Sequence, residues 1–126
     1  MVSKEKLYEA FGELIYAVAK ADGIVQDEEV EALHKILSYH SRAAEISWSF
    51  NYEHSKNNSV ESAYSKAIDI FKENGPDPEY DFFIEAMEII SDSNNGVDIN
   101  ERKIMEKFKS DLLNQFKNDI SIIGSD

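Results

Sequence analysis

At 126 residues and 14.4 kDa, and without cysteine, the chain has the length of one domain and can form no disulfide, thiolate metal site or thiol redox centre. Its net charge of -12, from 13 Lys and Arg against 25 Asp and Glu, repels phosphate backbones and argues against nucleic acid as a partner. No run approaches the ~18–20 apolar residues that span a bilayer, and charged Lys4, Glu5 and Lys6 follow Met1 closely. A cytoplasmic protein without membrane insertion is therefore expected.

Leu7, Phe11, Leu14, Ile15 and Val18 recur at three- and four-residue steps, which predicts a helix with one apolar face. That helix is expected to end near Asp22-Gly23, because glycine takes left-handed backbone angles without a steric penalty. A second helix carries Val30, Leu33, Ile36 and Leu37 inward. Its start is marked by Gln26 and Glu29 in capping-box spacing, with Asp27 and Glu28 in the first turn, where carboxylates complement the helix dipole.

The stretch Ile46, Trp48, Phe50, Tyr52 alternates with polar residues as a strand does. With only Ile120–Ile123 as a second β-like run, it has no convincing partner, and a helix is expected here. Such a helix would show apolar groups on two faces, as one sandwiched between neighbours does, and Trp48 is expected in the core.

Ser59 is a suitable N-cap for a helix burying Val60, Ala63, Tyr64, Ala67, Ile68 and Phe71, which Asn74-Gly75-Pro76 should stop. Asp77-Pro78 then opens a helix with Phe83, Ala86, Met87 and Ile90 on its buried face. The last helix starts at the box Asp98 to Glu101 and is expected to bury Ile104, Met105, Phe108, Leu112 and Phe116. The expected fold is all-α: a compact bundle of five to six or more helices in one domain over residues 1–118, followed by a flexible C-terminal tail over 119–126.

The two halves share a pattern. A shift of 72 positions carries Phe11 to Phe83, Ile15 to Met87, Val18 to Ile90, Val25 to Val97 and Glu29 to Glu101. The bundle is thus expected to contain two pseudo-repeated helix–acidic loop–helix units. Asp22, Gly23, Val25 and Glu29 match the second half of an EF-hand loop, but Val18 and Lys20 stand where leading ligands belong. The second frame regains Asp92 and Asn94, still without a leading carboxylate.

Calcium wants six to eight oxygens, which neither loop supplies alone. If the two loops emerge on one side, Asp22, Glu29, Asp92, Asn94, Asp98 and Glu101 could converge on a divalent cation, calcium or magnesium, or on a cationic protein surface. Capping accounts for Gln26, Glu29, Asp98 and Glu101 without any ion, at about 1 kcal/mol per good cap, and turn chemistry competes for Asp22 and Asp92.

Catalytic constellations are sparse. His34 follows Glu31 by three residues and would anchor a carboxylate–histidine hydrolase, and His54 reads as a surface residue. No Gly-rich phosphate loop, nucleophile elbow or His-Glu-x-x-His sequence is present, so no catalytic residue is assigned and no enzyme is expected.

The segment from Ala17 through Ala21-Asp22-Gly23 and Glu29 to Leu33 resembles the tellurite-resistance TerB family and the related amino-terminal region of membrane-anchored J-domain co-chaperones. The resemblance spans about residues 5 to 115, with Asn94-Asn95-Gly96 where the second Asp-Gly would stand. It implies an all-α fold from a duplicated unit, acidic loop residues suspected of metal binding, and a role in stress-response or membrane-associated assemblies. Asp22 and Glu29 match the first motif and Glu101 the second, with Asp92 near the expected place. The expected function is a non-enzymatic domain whose acidic loops bind a divalent cation, a protein partner or both. The alternative is a pure protein-interaction scaffold in which the loops act only as helix caps.

Overall fold

Eleven buried residues along the first helix, from Leu7 to Ala19, leave it almost no solvent face, and that makes it the central rod of the molecule. A computed structural model places six helices in chain order: α1 (Lys4–Lys20), α2 (Asp27–Leu37), α3 (Ala43–Lys56), α4 (Val60–Asn74), α5 (Glu79–Asp92) and α6 (Ile99–Gly124). It describes residues 3–21, 23, 25–38, 40–75, 77, 79–92 and 99–124, with side chains through Asp111. Among these there is no strand, and no helix is long and apolar enough to cross a membrane.

The α1 rod lies along α3 and α4 and also touches α5 and α6, while α2 packs on α5. Its approach to α3 depends on Gly12. A Cβ built there would fall on the Ile46 carbonyl oxygen, 2.8 Å from Ser49 Cβ and 3.0 Å from Phe50 N. A hydrogen bond across the same seam, from Ser49 Oγ to the Glu9 carbonyl at 2.6 Å, fixes the register of the two helices.

Side-chain caps act at the helix ends, and those of Ser59 and Asp77 were anticipated from the sequence. Ser3 Oγ accepts from Lys6 N at 3.3 Å, and Ser59 Oγ accepts from Ser62 N at 3.1 Å. Asp77 Oδ1 accepts from Glu79 N at 2.9 Å to open α5. Gly23 (φ +102°) and Gly75 (φ +82°) take the left-handed angles that close α1 and α4. Tyr80 folds back over the second of these turns and donates its hydroxyl proton to the Gly75 carbonyl at 2.7 Å.

An aromatic nucleus joins the bundle. Phe11 of α1 stacks on Phe83 of α5 with centroids 3.9 Å apart, and Phe71 of α4 contacts Phe83 and Phe108 at 5.8 and 5.4 Å. Phe11 and Phe83 are equivalent under the 72-residue shift, and Ile15, Met87, Val18 and Ile90 are all buried with them. The second acidic loop, residues 93–98, lies outside the described residues, so the duplication is not demonstrated through its full length. Leu112 and Phe116 fall among the side chains outside that range, and the helical backbone of α6 continues past residue 118 to Gly124.

The segment over residues 46–52 is helical, as expected. Trp48 is not in the core. Ile46, Ser49, Phe50 and Glu53 face α1, while Trp48 and Tyr52 remain 60% and 45% exposed. The second apolar face of α3 exists, but no other helix covers it among the described residues.

Candidate functional site

Glu29 and Glu101 occupy the same place in their helices, third from the start of α2 and α6, and both are enclosed. Glu29 Oε1 accepts from Gln26 N at 3.0 Å, closing the first turn of α2 onto its own cap. The carboxylate sits at the positive end of the helix dipole. Asp92 is exposed at the end of α5 and lines a cleft of about 460 Å3 between α5 and α6, alongside Arg102 and Lys109. Lys109 Nζ in that cleft is already paired with Glu88 Oε1 at 2.9 Å. Asp22, Asn94 and Asp98 lie outside the described residues. Among the described residues no group of three or more His, Asp or Glu side chains is placed to hold a metal ion.

The histidines are dispersed. His34 and His54 are exposed on α2 and α3. His40 stacks on Phe82 at 4.9 Å, and its Nδ1 accepts from Arg42 N at 3.0 Å, which ties the α2–α3 connection to α5.

A charge cluster lies where α1, α3 and α4 meet, with Lys66 reaching over it from the surface. Glu53 is 1% exposed, and its Oε2 accepts from Lys66 Nζ at 2.9 Å and from Asn58 Nδ2 at 3.0 Å. The same Lys66 Nζ lies 3.9 Å from Glu13 Oε2, so one cation serves two carboxylates. Tyr16 donates to the Asn58 carbonyl at 2.7 Å and closes the cluster from α1. Glu13 Oε2 and Glu53 Oε1 accept no hydrogen bond among the described residues. Burial pushes the Glu13 carboxyl up to about 7; Lys66 opposes the rise, and the Glu53 and Glu9 carboxylates add to it.

A different surface lies on the outer side of α3. Trp48 and Tyr52, four residues apart, stack with centroids 5.6 Å apart, and Lys56 Nζ stands 5.9 Å from the Tyr52 ring centroid. Trp48 forms one wall of a cleft of about 410 Å3 completed by Glu5, Glu9, Ala44 and Glu45. Burial raises the Glu9 carboxyl above the usual range, and the negative charges of Glu5 and Glu45 add to the rise while Lys6 opposes it. Arg42 Nη1 holds Glu45 Oε1 at 3.1 Å from the side.

Comparison with protein-family models, curated proteins and solved structures found no match to the chain.

Sequence reasoning missed Glu13, Glu53 and Lys66, and it placed Trp48 inside. One signal was available: Glu53 continues the series Ile46, Ser49, Phe50 at three- and four-residue steps, so it had to share their buried face. Glu13 offers no comparable cue, because it lies among apolar residues on a helix that is buried on nearly every side.

Proposed function

We propose that the chain is a non-enzymatic, TerB-like helical module that binds a protein partner through the aromatic and acidic face formed by α3 and the start of α1. The observation that carries this reading is the exposed Trp48–Tyr52 stack, placed on a helix whose opposite face is fully committed to the core. Aromatic side chains present large contact area at low entropic cost and are enriched in protein interfaces. Glu29, bonded back to Gln26, supports the cap role for the acidic loops. Gly23 and the Gln26–Glu29 box agree with the segment that carries the TerB resemblance.

The test is site-specific crosslinking in cells expressing the chain, with benzoylphenylalanine in place of Tyr52 and, as a control, in place of exposed Lys72 on α4. A heteromeric product from position 52 and none from position 72 is the expected result. Equal products from both positions, or none from position 52, would reject the module reading.

Asp22, Asn94 and Asp98 carry the divalent-cation alternative, with Asp92 as the exposed member among the described residues. Isothermal titration with calcium, magnesium and manganese addresses it directly. Saturable heat that disappears in Asp22→Asn would support a loop cation, and no heat at millimolar ion would end that proposal.

A further inference from the structure

We propose that the cleft walled by Trp48 and rimmed by Glu5, Glu9 and Glu45 receives an arginine side chain from a basic segment of the partner protein. This deepens the interaction-module reading and rests on it.

Charge complementarity supports this occupant. Three carboxylates from two helices line one cleft with an exposed indole, and the chain as a whole carries -12. Lys6 and Arg42 offset part of that local charge, and Arg42 does so by holding Glu45 from the side. The carboxylates still crowd one another, since the charges of Glu5 and Glu45 both act to raise Glu9. A cation entering the cleft relieves that repulsion and meets the negative face of the indole ring.

Guanidinium fits better than ammonium. It is planar, so it stacks on an aromatic face, and its fork of N–H donors spans two carboxylates. A cation of the chain already approaches the aromatic stack on α3: Lys56 Nζ stands 5.9 Å from the Tyr52 ring centroid. The cleft is also held in shape. The Ser49–Glu9 hydrogen bond joins its two helices beside Trp48, and Gly12 lets them approach closely one turn further on. Anionic lipid is disfavoured by the sign of the field, and a second copy of the chain would bring the same charge to the contact.

Trp48 is the only tryptophan, so its emission reports on the cleft alone. The experiment titrates the full chain with an oligoarginine peptide, and separately with an oligolysine peptide of equal length. Emission and the anisotropy of a labelled peptide are both followed. The expected result is a saturable change in Trp48 emission and binding of the arginine peptide at least about fivefold tighter than the lysine peptide.

The double variant Glu9→Gln/Glu45→Gln should weaken arginine binding roughly tenfold. Glu85→Gln/Glu88→Gln on α5 removes the same charge elsewhere and should change it less than about twofold. Trp48→Ala, at a position 60% exposed, should keep the helical circular dichroism and lose the arginine preference. Equal binding of the two peptides, or equal losses from the two double variants, would show attraction by net charge alone and overturn the proposal. Emission that shifts with protein concentration alone, or with anionic vesicles and not with peptide, would assign the face to self-association or lipid and overturn it as well. A crosslink at position 52 combined with unchanged Trp48 emission under arginine peptide would leave the interaction module standing and reject the arginine pocket.

Discussion

Gly12→Ala is expected to destabilise the protein by roughly 2–3 kcal/mol, as overpacking of a tight interior contact does. The sign is informative, because glycine to alanine inside a solvent-exposed helix would gain about 1 kcal/mol from propensity. Here the added methyl meets backbone on the facing helix: the Ile46 carbonyl oxygen first, then Ser49 Cβ at 2.8 Å and Phe50 N at 3.0 Å. Backbone cannot rotate aside as a long side chain can, so α1 and α3 must separate. Separation would stretch the 2.6 Å Ser49–Glu9 hydrogen bond and loosen the packing of Ile46 and Phe50, both buried in the core. Urea unfolding measures the loss, with Ser65→Ala on the exposed side of α4 as the propensity control. A Gly12→Ala protein as stable as the parent would refute the close α1–α3 seam.

The second large effect runs opposite to the usual rule for carboxylates. Glu13→Gln should stabilise the protein at pH 8 and make little difference near pH 4. The Glu13 carboxyl is raised from 4.5 to about 7 in the fold, foremost by burial. Between those values the folded chain therefore binds more protons at this group than the unfolded chain does. Its stabilising contribution is fully present below about 4.5 and is lost as pH rises through about 7. At about 1.36 kcal/mol per unit, the rise corresponds to on the order of 3 kcal/mol across the window.

Glutamine keeps the shape and lacks the titration. The groups that set the effect come from three helices: Glu9 beside Glu13 on α1, Glu53 on α3 and Lys66 on α4. Urea unfolding at pH 4, 5, 6, 7 and 8 provides the test. The parent and Glu13→Gln curves should diverge from about pH 5 upward, with the variant more stable by on the order of 2–3 kcal/mol at pH 8. Parallel curves would show that Glu13 is solvated or fully neutralised by Lys66.

Much of the architecture is legible in the sequence. Short-range chemistry set the helix ends: Ser59 caps α4, Asp77 opens α5, Gly75 closes α4, and Gln26 with Glu29 starts α2. Each acts within four residues of its own position, so its outcome depends little on the rest of the fold. Residues 46–52 illustrate the next level. Their alternation suited a strand, but a lone strand leaves its backbone unpaired, and the helix satisfies those groups internally.

The candidate sites were less visible, for a reason that Trp48 and Glu53 make plain. Helical periodicity tells which residues share a face and is silent on which face a neighbour will cover. On α3 the choice fell to Ile46, Phe50 and Glu53, which meet α1 where Gly12 allows close approach, and Trp48 and Tyr52 were left outside.

By itself, then, the sequence determined an all-helical chain, the helix ends set by Gln26 with Glu29, Ser59, Gly75 and Asp77, and an acidic character. Tertiary structure alone decided that Trp48 faces solvent beside Glu5, Glu9 and Glu45, and that Glu13 and the buried Glu53 share one lysine reaching in from the surface. The physical reason is range. Caps and turns are local, whereas burial of a charge or exposure of an indole depends on which helices approach, and at what distance.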